Sequence, residues 1–268
     1  MLSRVGRWLG RALASYLAQP THVHSANPVT PPERLLACLR PGDVLLVEGH
    51  SRFSTVIKYL TQSTWSHAAL FVGAHLAEAG GEAGHCLVEA DSVLGVRSVS
   101  IEEFRGMHTR ICRPVGLNAA EVRQLTGHVI ARIGQQYDLK NVFDLARYLF
   151  PVPPVPRRLR RRLLALGSGD PTRAICSSLI ASAFQSIKYP LLPDTELLPA
   201  LLPDCPDCLQ EIHHIRHHSL FAPRDFDVSP YFQIVKPGLD GDFDHHRLRW
   251  AKPASDLERL PGGSSGTG

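Results

Sequence analysis

The sequence predicts an α+β domain, with strands gathered in its first half and helices in its second. Three observations carry that expectation. Short apolar runs bounded by turn residues recur between residues 41 and 115. The pattern changes at Asn118, a predicted N-cap whose partner Glu121 completes a capping box. Strands and helices do not alternate in βαβ fashion, and no internal repeat is visible.

The elements follow in order. Val5, Trp8, Leu9, Ala12, Leu13 and Tyr16 form one helical apolar stripe, with Arg4, Arg7 and Arg11 along its flank. Such a basic, acid-free helix fits a membrane interface, and it fits equally a helix docked on its own domain. The absence of acid before Glu33 is also a transit-peptide feature. Residues 20–32 read as a Pro/Ser/Thr/Asn-rich linker, so residues 1–32 stand before the main body of the chain. That body spans residues 33–237. Its predicted strands are PGDVLLVEG (41–49), WSHAALFVG (65–73), HCLVEADS (85–92), residues 96–99 and residues 109–115. Phe53, Val56, Ile57 and Leu60 recur at helical spacing between the first two. Asn118 opens a helix through residue 133. A proline-rich break at 151–156 separates YDLKNVFDLARYLF from an arginine-rich helix, and GSGDPT (167–172) introduces an apolar helix over about 173–187. PYFQIVKP supplies a last strand. The extension 238–268 reads as largely disordered from Lys252 onward.

Composition narrows the function classes. The 268 residues are 44% hydrophobic and 20% charged, enough for a core without metal or disulfides. No apolar run approaches the ~18 residues of a membrane-spanning helix, and the early arginines interrupt any signal-like apolar stretch. The six cysteines read as reduced thiols of a cytosolic protein. The net charge of +4 is local. Arg4, Arg7 and Arg11 carry part of it, and Arg157, Arg158, Arg160, Arg161 and Arg162 carry more. With those eight set aside, acids outnumber bases, so general nucleic-acid binding is not expected. Basic segments backed by leucines suit anionic lipid headgroups better, which predicts a cytoplasmic protein with peripheral attachment to the inner membrane.

Cys38, Cys86 and Cys112 sit in apolar patterns and read as small buried hydrophobes. Cys176 falls in the first turn of a predicted helix, where unpaired N–H groups and the helix dipole favour a thiolate and an oxyanion. On position alone an inert structural cysteine is the plainer reading. His67 is the one histidine embedded in an apolar strand, so it needs a polar partner or a function. Glu89 and Asp91 share one face of the next strand, and either is placed to receive a ring N–H from His67. CPDCLQEIHHIRHH (205–218) invites a zinc reading, but its spacing is not that of a common finger, and a polar surface segment is the default.

The runs PGDVLLVEGHSRFSTVIKYLTQSTWSHAALFVG, CLVEADSVLGVRSVSIEEF, AICSSLIASAFQS and APRDFDVSPYF together resemble the circularly permuted papain-like amidases, the YaeF/YiiX group of the NlpC-type cysteine hydrolases. The resemblance covers roughly residues 33–237. It implies a permuted papain-like fold, a small antiparallel sheet or partial barrel packed on the helix that carries the nucleophile. It implies Cys176 as nucleophile, His67 as base and Glu89 as the residue orienting the base. It also implies a thioester acyl-enzyme formed without metal or organic cofactor, acting on an amide- or ester-containing substrate, lipid-linked or peptide. Acyl transfer through the same thioester, or a non-catalytic membrane- or partner-binding protein on the same scaffold, are the rival expectations. The long basic, proline-rich stretch between Asp138 and Cys176 departs from the family pattern and leaves the roof of the site undefined.

Overall fold

The computed structural model describes residues 29–91, 94–136, 175–199, 209–214 and 217–237, together with Gln19. The N-terminal amphipathic helix, the YDLKNVFD segment, the arginine run, Cys205, Cys208 and the 238–268 extension lie outside the described residues. Everything described belongs to the contact unit 1–237.

Six strands form one antiparallel sheet: β1 (Val44–Val47), β2 (His67–Phe71), β3 (Leu87–Asp91), β4 (Gly95–Val99), β5 (Thr109–Pro114) and, much later in the chain, β8 (Phe232–Val235). Their order is β4-β3-β2-β1-β5-β8, an open sheet rather than a barrel. Helices are α1 (Pro32–Cys38), α2 (Arg52–Thr61), α3 (His75–Glu78), α4 (Ala119–Ile130), α5 (Ile175–Ser186) and α6 (Pro223–Val228). Capping chemistry explains several starts. Ser51 accepts from the Ser54 N–H at the head of α2, and Asn118 and Glu121 form the expected capping box of α4.

Strand β1 is apolar at every position because both faces of the sheet are covered. Val44 and Leu46 of β1 face a core shared with Leu125 of α4 and Ile180 and Phe184 of α5. Leu45 and Val47 face a second core built by Leu35 of α1, Leu39 at its C-cap and the 3-10 turn Ile101–Phe104. An apolar run in an antiparallel sheet therefore marks two-sided burial, not a helix segment. Arg113 of β5 clamps buried Asp43 through Nε (2.9 Å) and Nη2 (2.7 Å), and Nη2 also donates to the Cys38 carbonyl, tying α1 to the sheet.

The predicted last strand, β8, joins the main sheet by pairing with β5 in the register Ile111↔Val235. One feature differs from the sequence expectation. The stretch expected as a polar surface segment contains strand β7 (Leu209–His214), which pairs antiparallel with β6 (Asp194–Pro199) as a separate two-stranded sheet. That pairing joins separate stretches of chain, which sequence periodicity does not register.

Candidate active site

His67 is the first residue of β2, paired with Val47 of β1. Its neighbour Ser66 is buried, and the Ser66 hydroxyl accepts the Gly49 N–H at 2.9 Å. This bond stitches the chain leaving β1 to the chain entering β2, directly beneath the imidazole. Glu89 lies one strand away, in register with Ala69 on one side and Arg97 of β4 on the other. Side chains directly opposite one another share a sheet face, so His67, Glu89 and Arg97 converge.

The contacts are short and charge-assisted. The His67 Nε2–H donates to Glu89 Oε2 at 2.6 Å. Arg97 donates to the other oxygen, Oε1, from Nε at 2.9 Å, and its Nη2 stands in ion-pair contact with the same oxygen at 2.7 Å. An ionised carboxylate only accepts, so the proton resides on Nε2 and Nδ1 is the nitrogen left to Cys176. Cys176 lines the same cleft, and its charge favours the protonated ring. Cys176 stands in the first turn of α5, 4% exposed. Its neighbour Ser177 is fully buried and donates to the Phe221 carbonyl at 2.6 Å, which fixes that first turn.

The electrostatics follow from these neighbours. Desolvation of the His67 ring opposes protonation, but the charges of Glu89 and then Cys176, with the hydrogen bonds to both, outweigh it and hold its pKa well above the ordinary value. Burial of Glu89 favours its neutral form, yet the His67 charge and hydrogen bond, then those of Arg97, win and lower its pKa. Each group stabilises the charged form of the next.

His67, Glu89, Arg97 and Cys176 line one cleft of about 320 Å³. Phe53, Phe104 and Met107 supply its apolar wall, and Gly49 and Ser51 line it near the head of α2. Gly49 is obligatory there, because a Cβ at that position would stand 2.3 Å from the Ser54 hydroxyl and 3.0 Å from that of Ser66.

All three sequence-predicted residues are thus brought together. Of the two carboxylates left open, Glu89 bonds His67, whereas Asp91 Oδ1 accepts the Leu94 N–H at 2.7 Å in the β3–β4 turn. Cys112 is buried, and Cys38 and Cys86 are partly so. Burial raises the thiol pKa of Cys86 and, further, of Cys112, so neither is primed for chemistry. Among the described residues no cluster of three or more His, Cys, Asp or Glu side chains is arranged to hold a metal ion. Sequence reasoning missed Arg97. Its signal was the hairpin register, since Glu89 and Arg97 are equidistant from the β3–β4 turn.

Fold and site together define an α+β protein whose six-stranded antiparallel sheet presents a Cys–His–Glu–Arg cluster in a cleft. No family model matches the chain. No curated protein matches it. Among solved structures it is similar to the crystal structure of metalloprotein YiiX from Escherichia coli O157:H7, at 14% identity over 74% of this chain and 96% of that one, with a TM-score of 0.43. No helix among the described residues is long and apolar enough to cross a membrane.

Proposed function

We propose that the protein is a cysteine hydrolase of the permuted papain-like, NlpC-type kind, cleaving amide or ester bonds through Cys176, His67 and Glu89. One observation carries this reading: a cysteine in the first turn of a helix, a histidine, and a buried carboxylate hydrogen-bonded to that histidine share one cleft. That is the geometry an activated thiol requires, with the base within reach and itself oriented by a third group. The deep burial of Glu89 argues in the same direction. A carboxylate that is 4% exposed costs stability unless its partners justify it, and here the partners are the imidazole and Arg97.

The steps follow from the assigned protons. The Cys176 proton rests on His67 Nδ1, an imidazolium–thiolate pair, and the sulfur attacks the carbonyl carbon. N–H groups in the first turn of α5 stabilise the oxyanion of the tetrahedral intermediate. Its collapse breaks the bond to the leaving amine or alcohol, which takes the proton from His67. A thioester on Cys176 remains. Water attacks it, His67 accepts the water proton and returns it to the sulfur, and the carboxylic acid departs. Glu89 keeps its charge throughout and holds Nε2–H, so the ring presents Nδ1 to the reacting atoms. The apolar wall of Phe53, Phe104 and Met107 suits an acyl group of lipid or peptide origin.

The test is a panel of acyl amides, lipid esters and short peptides, with intact-mass detection of the enzyme. A thioester adduct that maps to Cys176 and disappears in Cys176→Ala, together with hydrolysis that disappears with it, is the expected result. Turnover retained in Cys176→Ala overturns the assignment. Transfer of the acyl group to an added amine, in place of release as free acid, would mark the acyltransferase variant of the same chemistry.

A further inference from the structure

We propose that Arg97 is a positioning residue of this site, fixing the ionised Glu89 in the one orientation that leaves Oε2 for His67. The inference rests on the hydrolase reading and deepens it from three residues to a four-member relay.

The argument is geometric. A glutamate side chain has three rotatable bonds, and its two oxygens are equivalent until something distinguishes them. Arg97 does so by donating its Nε–H to Oε1 at 2.9 Å while Nη2 of the same planar guanidinium stands in ion-pair contact with that oxygen at 2.7 Å. A guanidinium holds a carboxylate plane as a point charge cannot. Oε2 is then left for the imidazole at 2.6 Å. Arg97 Nη2 also lies 3.8 Å from Glu103 Oε2, and Arg97 stands on β4 opposite Glu89. It acts through Glu89. The charged and titratable groups that line the cleft with Glu89 are His67 from β2, Arg97 from β4, Glu103 from the 3-10 turn, Asp91 on its own strand, His50 from the chain between β1 and α2, and Cys176 of α5. Of these, His67 and Arg97 bond it directly. Removing Arg97 leaves a buried carboxylate with a single cationic partner, so Glu89 takes up a proton at higher pH. Once neutral, it neither orients nor charges the ring.

The test uses the full chain and follows iodoacetamide alkylation of Cys176, located by peptide mapping, across pH. The variants are Arg97→Met, Arg97→Lys and His67→Ala, and Tm is recorded for each. In the wild type the alkylation rate falls on an acid limb that His67→Ala moves up to the ordinary thiol range. In Arg97→Met that limb moves to higher pH by about one unit, as expected on losing an opposite charge in contact. The alkylation rate at mildly acidic pH then drops about tenfold. Arg97→Lys keeps the charge without the two-pronged contact, and its limb lies between the other two. A purely structural arginine would lower Tm and leave the limb in place. An acid limb in Arg97→Lys and Arg97→Met identical to wild type, while His67→Ala still moves it to the ordinary thiol range, overturns the role of Arg97 and leaves the hydrolase reading standing. A wild-type profile indifferent to His67→Ala overturns the hydrolase reading itself.

Discussion

Replacing Glu89 with glutamine probes the site with almost no change in volume. The carboxylate accepts two N–H bonds, one from His67 and one from Arg97 Nε, and Arg97 Nη2 adds an ion-pair contact. Glutamine keeps one oxygen and presents an amide NH2 where the other stood. If the oxygen stays with Arg97, the NH2 meets the His67 Nε2–H; if it turns to His67, the NH2 meets the guanidinium. Either way two donors face each other inside a pocket from which the side chain cannot swing out. Loss of one charge-assisted hydrogen bond costs about 2 kcal/mol. For a domain of this size that corresponds to a fall in Tm on the order of 4–8 °C, so the variant stays folded and assayable. The chemical effect is larger. An imidazole without its orienting, charge-balancing partner forfeits general-base assistance worth roughly 10²- to 10⁴-fold. The assay is Cys176 alkylation under mildly acidic conditions, paired with a thermal melt. A Glu89→Gln protein alkylated at the wild-type rate would refute the reasoning, because the carboxylate would then contribute nothing to the state of the ring.

Four further outcomes are expected. The His67–Glu89 pair makes stability depend on pH with a definite sign. His67 is raised above its ordinary 6.5, so its contribution is complete below that pH and fades as pH rises through the raised value. Glu89 is lowered beneath its ordinary 4.5, so its contribution is complete above that pH and fades as pH falls. The Tm difference between wild type and Glu89→Gln is therefore widest between pH 4.5 and 6.5, and a difference that grows toward alkaline pH would contradict this. Gly49→Ala forces a Cβ against Ser54 and Ser66 and costs about 1–3 kcal/mol, seen as a lower denaturant midpoint with an unchanged slope. Arg113→Met strands Asp43, which is 1% exposed, at a cost of about 3–5 kcal/mol; equilibrium unfolding measures it. Cys112, wholly buried with its thiol pKa pushed up, stays unlabelled by iodoacetamide until denaturant unfolds the chain.

Much of the sheet was legible because burial writes itself into composition. Strands β1, β2 and β3 are apolar runs closed by turn residues, and the polar exceptions within them, His67 and Glu89, stood out for that reason. Cys176 was legible through its place after a helix-entry sequence. The choice between Glu89 and Asp91 was not, since both occupy one strand face; the bond from the Leu94 N–H to Asp91 depends on how the hairpin turns. Nothing in the short run 96–99 marks Arg97, and only the pairing Glu89↔Arg97 gives it a partner. The β6–β7 hairpin escaped for the opposite reason, as its proline-rich, polar composition resembles a loop while its backbone pairs in full register. Long-range pairing is what local periodicity does not encode.

The central claim is that Cys176 and His67 share one proton as an ion pair. The ultraviolet absorbance of the thiolate, taken as wild type minus Cys176→Ala across pH, measures that state without any substrate. The account predicts a thiolate signal already present at mildly acidic pH and absent there when His67 is replaced by alanine. A signal that rises only at alkaline pH, with the same midpoint in wild type and His67→Ala, would contradict it.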